Sequence, residues 1–304
     1  MDQVGDSVAR LITFVFAAAI VLAGLLIVFV LWNDSAASRN KLGWGFLVSS
    51  QWNPVTEEFG GLPFIYGTVI TSVVALLISI PLGVGSAIFL SELAPPRVSD
   101  SLTFLVELLA AIPSVIYGLL AIFTLVPLMR IYIQPFLRSV LGFLPIFQGL
   151  AFGVGYLTAG VILAIMTFPF IISVSRESLL AVPREQREAA LALGATKWEA
   201  TWDVVVPYAR LGIMGSIFLG LARALGETMA VTMVIGNSAA IHASLFAPGH
   251  TIAAVIANEF AEATGDVYRG VLIELGLVLF CLTILLNGLA RLMIIATTRR
   301  GTAR

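Results

Sequence analysis

Six apolar stretches, at residues 11–32, 64–90, 102–128, 148–173, 211–236 and 270–296, constrain the fold of this chain more than any other feature. Each is long enough to cross roughly 30 Å of hydrocarbon. Lipid offers backbone amides no partner, so each stretch must be a helix that satisfies its own hydrogen bonds. With 59% apolar residues over 304 positions, the chain carries more apolar surface than a soluble core could hide. The expected fold is an all-α integral membrane protein with six transmembrane helices. The first stretch reads as a retained helix rather than a removable leader. Asp2 and Asp6 oppose a single Arg10 ahead of it, and its apolar run exceeds a typical leader core.

Orientation follows from the cations. With the N-terminus in the cytoplasm, eleven fall inside: Arg10, Arg97, Arg176, Arg184, Arg187, Lys197, Arg210, Arg291, Arg299, Arg300 and Arg304. Arg39, Lys41, Arg130, Arg138 and Arg269 fall outside, and Arg223 lies within a span. The positive-inside bias therefore predicts both termini in the cytoplasm of a bacterial cell membrane.

The same bias places a charged island, residues 176–210, on the cytoplasmic side. Ten of its side chains are ionisable in a chain that is only 12% charged. Pro183 suits a first helical turn. Glu188, Ala189, Ala190 and Leu193 continue that helix, and Gly194 suits the left-handed position that ends it. Thr196 and Glu199 are spaced as a capping box for a second short helix running toward Pro207. Two helices joined at one glycine predict a stiff elbow, suited to docking a soluble partner. Trp198 and Trp202 leave open an alternative, a helix pair lying on lipid headgroups.

Arg223 and Glu227, with Thr228 beside them, are the candidate pathway residues. Charges in a span cost at least ~2.5–3.5 kcal/mol each and should face protein or water. On one helix they would lie four residues apart on a shared face, along a small-residue stripe of Ala222, Gly226 and Ala230. Such a seam reads as one wall of a translocation pathway, and an arginine fork matches a tetrahedral oxyanion. A self-neutralising Arg–Glu pair is the structural alternative. Glu107 and Glu274 read as structural, and Cys281 as a small packing residue. Pro81, Pro113 and Pro169 are candidate kinks. Residues 251–263 predict a short outer helix capped by Thr251.

His242 and His250 have no ligand-spaced neighbours, so no metal and no cofactor are expected. A phosphate-cradling G-x-x-x-x-G-K-[ST] loop does not occur in the sequence, so ATP energy would have to arrive through another chain. The protein is expected to be a transport subunit and not itself an enzyme.

The series Glu188-Ala189-Ala190, Gly194, Val204, Val206, Pro207 resembles the coupling loop of ABC-importer permeases, with Val204 and Val206 in place of the common Ile and Leu. Further blocks extend the similarity along nearly the whole chain: Trp52-Asn53-Pro54, the run from Phe59 through Phe64, Pro81-Leu82-Gly83, the run from Ile112 through Gly118, and the run from Arg223 through Thr228. They resemble the PstC-type permeases of bacterial phosphate importers. That resemblance implies a MetI-like core in spans two to six, with residues 1–63 as an added helix and external segment. Residues 64–304 would then be the permease domain. It also implies partners: a PstA-like second permease, a PstB-like ATPase dimer inside and a PstS-like phosphate-binding protein outside. In the family Glu188, Ala189, Ala190, Leu193, Gly194 and Pro207 would couple to the ATPase. Another substrate on the same scaffold (molybdate, sulfate, phosphonate) and a non-ABC channel or carrier are the alternatives.

Overall fold

The computed structural model describes the backbone of residues 2–301 and the side chains of residues 6–289, 291 and 292. Arg299, Arg300 and Arg304 of the cation count therefore lie outside the described side chains. The regular elements of the described chain are helices apart from one two-stranded hairpin. Six helices are long and apolar enough to cross a membrane: Asp6–Asp34, Leu62–Leu93, Ser114–Leu141, Tyr156–Leu180, Lys197–Gly226 and Asp266–Leu289.

The central helix is α9 (Tyr156–Leu180), whose face is buried along its whole length. It packs against α4 (Leu62–Ile88) and α12 (Val206–Gly226), and Tyr156, Ala159, Leu163 and Met166 head the main core cluster. One end of this bundle is closed by a cap. There α2 (Ala36–Leu42) and α3 (Gly45–Val48) lead into the hairpin of β1 (Trp52–Asn53) and β2 (Glu58–Phe59), in the register Trp52↔Phe59 and Asn53↔Glu58. The turn is local chemistry: Asn53 Oδ1 accepts from the amides of Val55 (3.0 Å) and Thr56 (3.4 Å). The indole of Trp52 donates to Glu259 Oε2 at 3.0 Å, fastening the hairpin to α14 (Ile252–Glu259). As expected, Thr251 caps α14, its Oγ1 accepting from the Ala254 amide at 3.3 Å; the helix ends at Glu259 rather than 263.

α1 (Asp2–Asp34) is exposed over most of its length and meets α15 (Asp266–Gly301). α15 also packs on α2, where Ser38 Oγ donates to Glu274 Oε2, and Glu274 is buried. Cys281 is exposed on α15, so it is not the packing residue expected from the sequence.

Two of the six expected spans are interrupted. The stretch 102–128 is not one helix: α5 (Pro96–Ala111) ends, Ile112 and Pro113 are extended (ψ 128° and 141°), and α6 (Ser114–Leu120) begins. Proline clashes with helical geometry in the residue before it, which forces Ile112 out of the helix. Pro81 and Pro169, by contrast, lie inside continuous helices. The stretch 211–236 is also broken. α12 stops at Gly226, Glu227 is extended (ψ 128°), and α13 (Met229–Val234) restarts the chain.

Prolines leave a second mark. The π-helical turns Phe89–Leu93, Ala121–Leu125, Met129–Ile133 and Thr201–Val205 each end two residues before a proline: Pro95, Pro127, Pro135 and Pro207. Without an amide hydrogen, proline cannot bond four residues back, and the preceding turn widens. Pro207 therefore does not close the charged island. The chain runs helically through it from Lys197 to Gly226.

Candidate translocation and coupling sites

The elbow forms much as its sequence pattern predicts. α10 (Arg184–Ala192) is followed by Gly194 at φ +90°, the left-handed backbone that glycine tolerates. Leu193 is 90% exposed at the apex, Glu188 and Ala189 are exposed, and Ala190 faces inward. The capping box is present: Thr196 Oγ1 accepts from the Glu199 amide (3.3 Å), and Glu199 Oε2 accepts from the Thr196 amide (2.7 Å). Two details differ from expectation. Pro183 is the cap before α10, not its first turn. The second elbow helix, α11 (Lys197–Ala200), is the root of the fifth span rather than a separate short helix.

What holds the elbow is a contact that sequence reasoning missed. Arg187 forks onto Glu92 at the foot of α4, with Nη2 donating to Oε1 at 2.8 Å and Nε to Oε2 at 3.1 Å. It also donates to the carbonyls of Leu179 (2.7 Å) and Val182, at the end of α9. One guanidinium thus ties the elbow to two core helices. The partners are 95 positions apart, and no local pattern marks the pair.

The fifth-span charges are brought together differently from the prediction. Arg223 lies in the last turn of α12, whereas Glu227 lies beyond the helix end. They share no helical face and, among the described residues, form no ion pair. The small-residue stripe is likewise broken, with Ala222 and Gly226 exposed and Ala230 buried in α13. Glu227 Oε1 accepts from the Ala230 amide (3.4 Å), and Thr228 Oγ1 donates to the Gly226 carbonyl (3.3 Å). These polar side chains satisfy backbone groups that the break frees, which lipid could not do.

Arg223 itself is unsatisfied. Its Nε is buried without a partner, and among the described residues no hydrogen bond reaches its guanidinium. Its Cζ sits 4.4 Å from the centroid of the Phe170 ring on α9. Phe170 is ten residues, hence about 15 Å, from the end of α9 nearest the elbow. The break in the third span abuts the same region. α6 crosses α13 closely, since a Cβ on Gly118 would lie 2.3 Å from the Met233 sulfur. The Tyr117 hydroxyl bridges the break by donating to the Leu109 carbonyl at 2.8 Å. Two interrupted helices and the Arg223 guanidinium therefore meet inside the bundle of span-length helices. A site of that kind can take an anion, which the guanidinium can bind through paired N–H donors.

His250 is buried in the cap and accepts from the Thr251 amide (3.1 Å) through Nδ1. Burial pushes its pKa down to about 4, so the ring is neutral near pH 7. Among the described residues no cluster of His, Cys, Asp and Glu could hold a metal.

Comparison with known proteins fits this architecture. Residues 79–294 match the family described as "Binding-protein-dependent transport system inner membrane component", and the chain belongs to that family of membrane transport subunits. Within it, the chain falls among the PstC permeases. It is 49% identical to the phosphate transport system permease protein PstC of Mesorhizobium japonicum, covering 94% of this chain and 90% of that one. The PstC of Haemophilus influenzae is 48% identical over 92% and 90% of the two chains. The fold is similar to that of a chain of the MetNI methionine ABC transporter (TM-score 0.57, 17% identity, 81% and 99% coverage). It is also similar to a chain of a bacterial alginate ABC transporter (TM-score 0.59, 14% identity, 92% and 93% coverage).

Proposed function

We propose that this chain is the permease subunit of an ATP-driven importer that carries inorganic phosphate across the cytoplasmic membrane. The observation that carries the reading is Arg223, a cation whose buried Nε has no partner, placed where two span-length helices are interrupted. The names of its PstC relatives supply the substrate. Arg223 would hold the anion. Glu227, with Oε1 on the Ala230 amide, has a second oxygen to accept from a phosphate O–H, and Thr228 lies beside it. Sulfate near neutral pH has no proton to offer that carboxylate and would be repelled.

Energy would enter at the elbow. Leu193 and Gly194 form its apex, and Glu188, Ala189 and Ala190 the adjoining helix. From there the helix of Lys197–Gly226, which includes Pro207, runs about 45 Å to the break at Glu227. Motion of the elbow on an ATPase would thus be levered onto Arg223. In this reading the elbow and both termini are cytoplasmic, and a PstB-like ATPase dimer docks there. A PstA-like subunit completes the pore, and a PstS-like binding protein delivers phosphate at the hairpin cap. Residues 1–63 are an added helix and outer segment, and residues 64–304 the permease domain.

The test is competition in reconstituted vesicles that take up labelled phosphate. Unlabelled phosphate should compete, and sulfate and molybdate should not. With Glu227→Gln in a binding-protein-independent background, sulfate should begin to compete, because an amide offers donors to bare oxyanions. If sulfate or molybdate displaces phosphate from the unmodified assembly, the substrate assignment is wrong.

A further inference from the structure

Arginine in a membrane span ordinarily pays for its place with a carboxylate, and Arg223 has none within ion-pair distance among the described residues. Its visible support is the ring of Phe170, 4.4 Å from Cζ, contributed by α9. We propose that Phe170 is a positioning residue for anion transport: a platform that holds the Arg223 guanidinium with its N–H edge open to the pathway. This rests on the reading of Arg223 as the anion-holding group.

The geometry favours a platform over a plug. A cation lying over an aromatic face is attracted by the ring's negative π cloud, while its N–H donors point outward from the guanidinium plane. The ring and an oxyanion therefore occupy different sides of the same group. Phe170 also sits on a rigid element. It is in the uninterrupted α9, next to Pro169, whose neighbours Ile171 and Ile172 are buried in the bundle. Arg223, by contrast, is in the last helical turn before a break and has a long side chain with no other hydrogen-bonded anchor among the described residues. An arginine left free there would lose rotamer freedom each time it took an anion. Held against the ring, it meets the anion already ordered.

The experiment uses the full assembly in vesicles, with 4-fluoro-, 3,5-difluoro- and 3,4,5-trifluorophenylalanine in turn at position 170. These rings keep the phenyl shape while draining the π cloud stepwise, so folding is little affected. Half-saturation for inorganic phosphate and the maximal rate are measured separately. The expected result is a graded rise in the half-saturation concentration with each fluorine, reaching about two- to thirty-fold, with assembly intact. Phe170→Leu should show the full rise, and Phe170→Trp should keep near-normal half-saturation. A flat fluorine series overturns the proposal, as does one in which phosphate binds more tightly as the ring weakens, which would make Phe170 a competitor. Arg223→Gln is run alongside. If it transports normally, the reading of Arg223 has failed; if it is inactive while the fluorine series is flat, only the platform has.

Discussion

The elbow's anchorage to α4 predicts a measurable coupling between two residues distant in sequence. Glu92 takes two hydrogen bonds from Arg187, at 2.8 and 3.1 Å, and their side chains are only 9% and 21% exposed. A bond to a charged group contributes ~1.5–3 kcal/mol, but desolvation of both partners offsets much of a part-buried pair. Limited exposure keeps the pair above the roughly 0–1 kcal/mol of an open surface bridge. A double-mutant cycle of Glu92→Ala with Arg187→Ala should therefore give a coupling energy of about 2 kcal/mol. Glu92→Ala alone should cost more than that cycle value, because Arg187 is left with only the Leu179 and Val182 carbonyls. The assays are reversible unfolding in mixed micelles and substrate-stimulated ATPase of the assembly, which should lose stimulation in either single variant. Exchanging the charges (Glu92→Arg with Arg187→Glu) should not rescue, since a carboxylate at 187 would face those two carbonyls. A coupling energy below about 0.5 kcal/mol with normal stimulation would refute the idea that this pair transmits elbow motion to α4.

Gly194→Val should cost about 1–2 kcal/mol of local backbone strain, because the site is at φ +90° and an added Cβ would meet only open space. Stimulated ATPase should collapse while the helices still insert, and normal stimulation in an assembled variant would count against the elbow's role. For orientation, cysteines at Val55 (91% exposed) and Ser244 should react with an impermeant thiol reagent from outside, and one at Thr196 only after the membrane is opened. The exposed Cys281 must first be replaced, and outside labelling at Thr196 would reverse the topology. His250 titrates near 4 when folded and near 6.5 when unfolded, so the unfolded chain binds the extra proton between those values. Stability is fully present above pH 6.5 and should fall by about 2 kcal/mol by pH 5. His250→Phe should flatten that slope in a pH series of unfolding curves; an unchanged slope would mean the ring is not buried neutral.

Much of the frame was legible in the sequence because lipid leaves the backbone few options. Apolar length gave the count of six, but the third and fifth spans run over Ser114–Leu141 and Lys197–Gly226 rather than 102–128 and 211–236, which puts Arg130 and Arg138 inside the third helix. The Gly194 and Thr196/Glu199 signals worked because caps are local hydrogen-bond chemistry. Interruptions were harder. Residues 102–128 stay apolar up to Ile112, and in 211–236 the polar Glu227 and Thr228 read equally well as side chains on a continuous helix, so hydropathy alone does not show the helix ending at either place. Pro113 was a visible signal for the first break; Pro81 and Pro169, with the same local chemistry, stay in continuous helices because the surrounding bundle holds them. The second break has no proline, and its polar side chains Glu227 and Thr228 explain it only once their backbone partners are known. Arg187–Glu92, Arg223 over Phe170 and Ser38–Glu274 are all long-range pairings, set by packing rather than by any local pattern.

Phosphate uptake by vesicles holding both permeases, the ATPase and the binding protein tests the central claim most directly, with Arg223 intact and with Arg223→Gln. The intact assembly should accumulate phosphate only with ATP and the binding protein, and Arg223→Gln should assemble normally yet accumulate none. Uptake by Arg223→Gln at the unmodified rate would contradict the account, because the anion would then cross without the guanidinium that the interrupted spans surround.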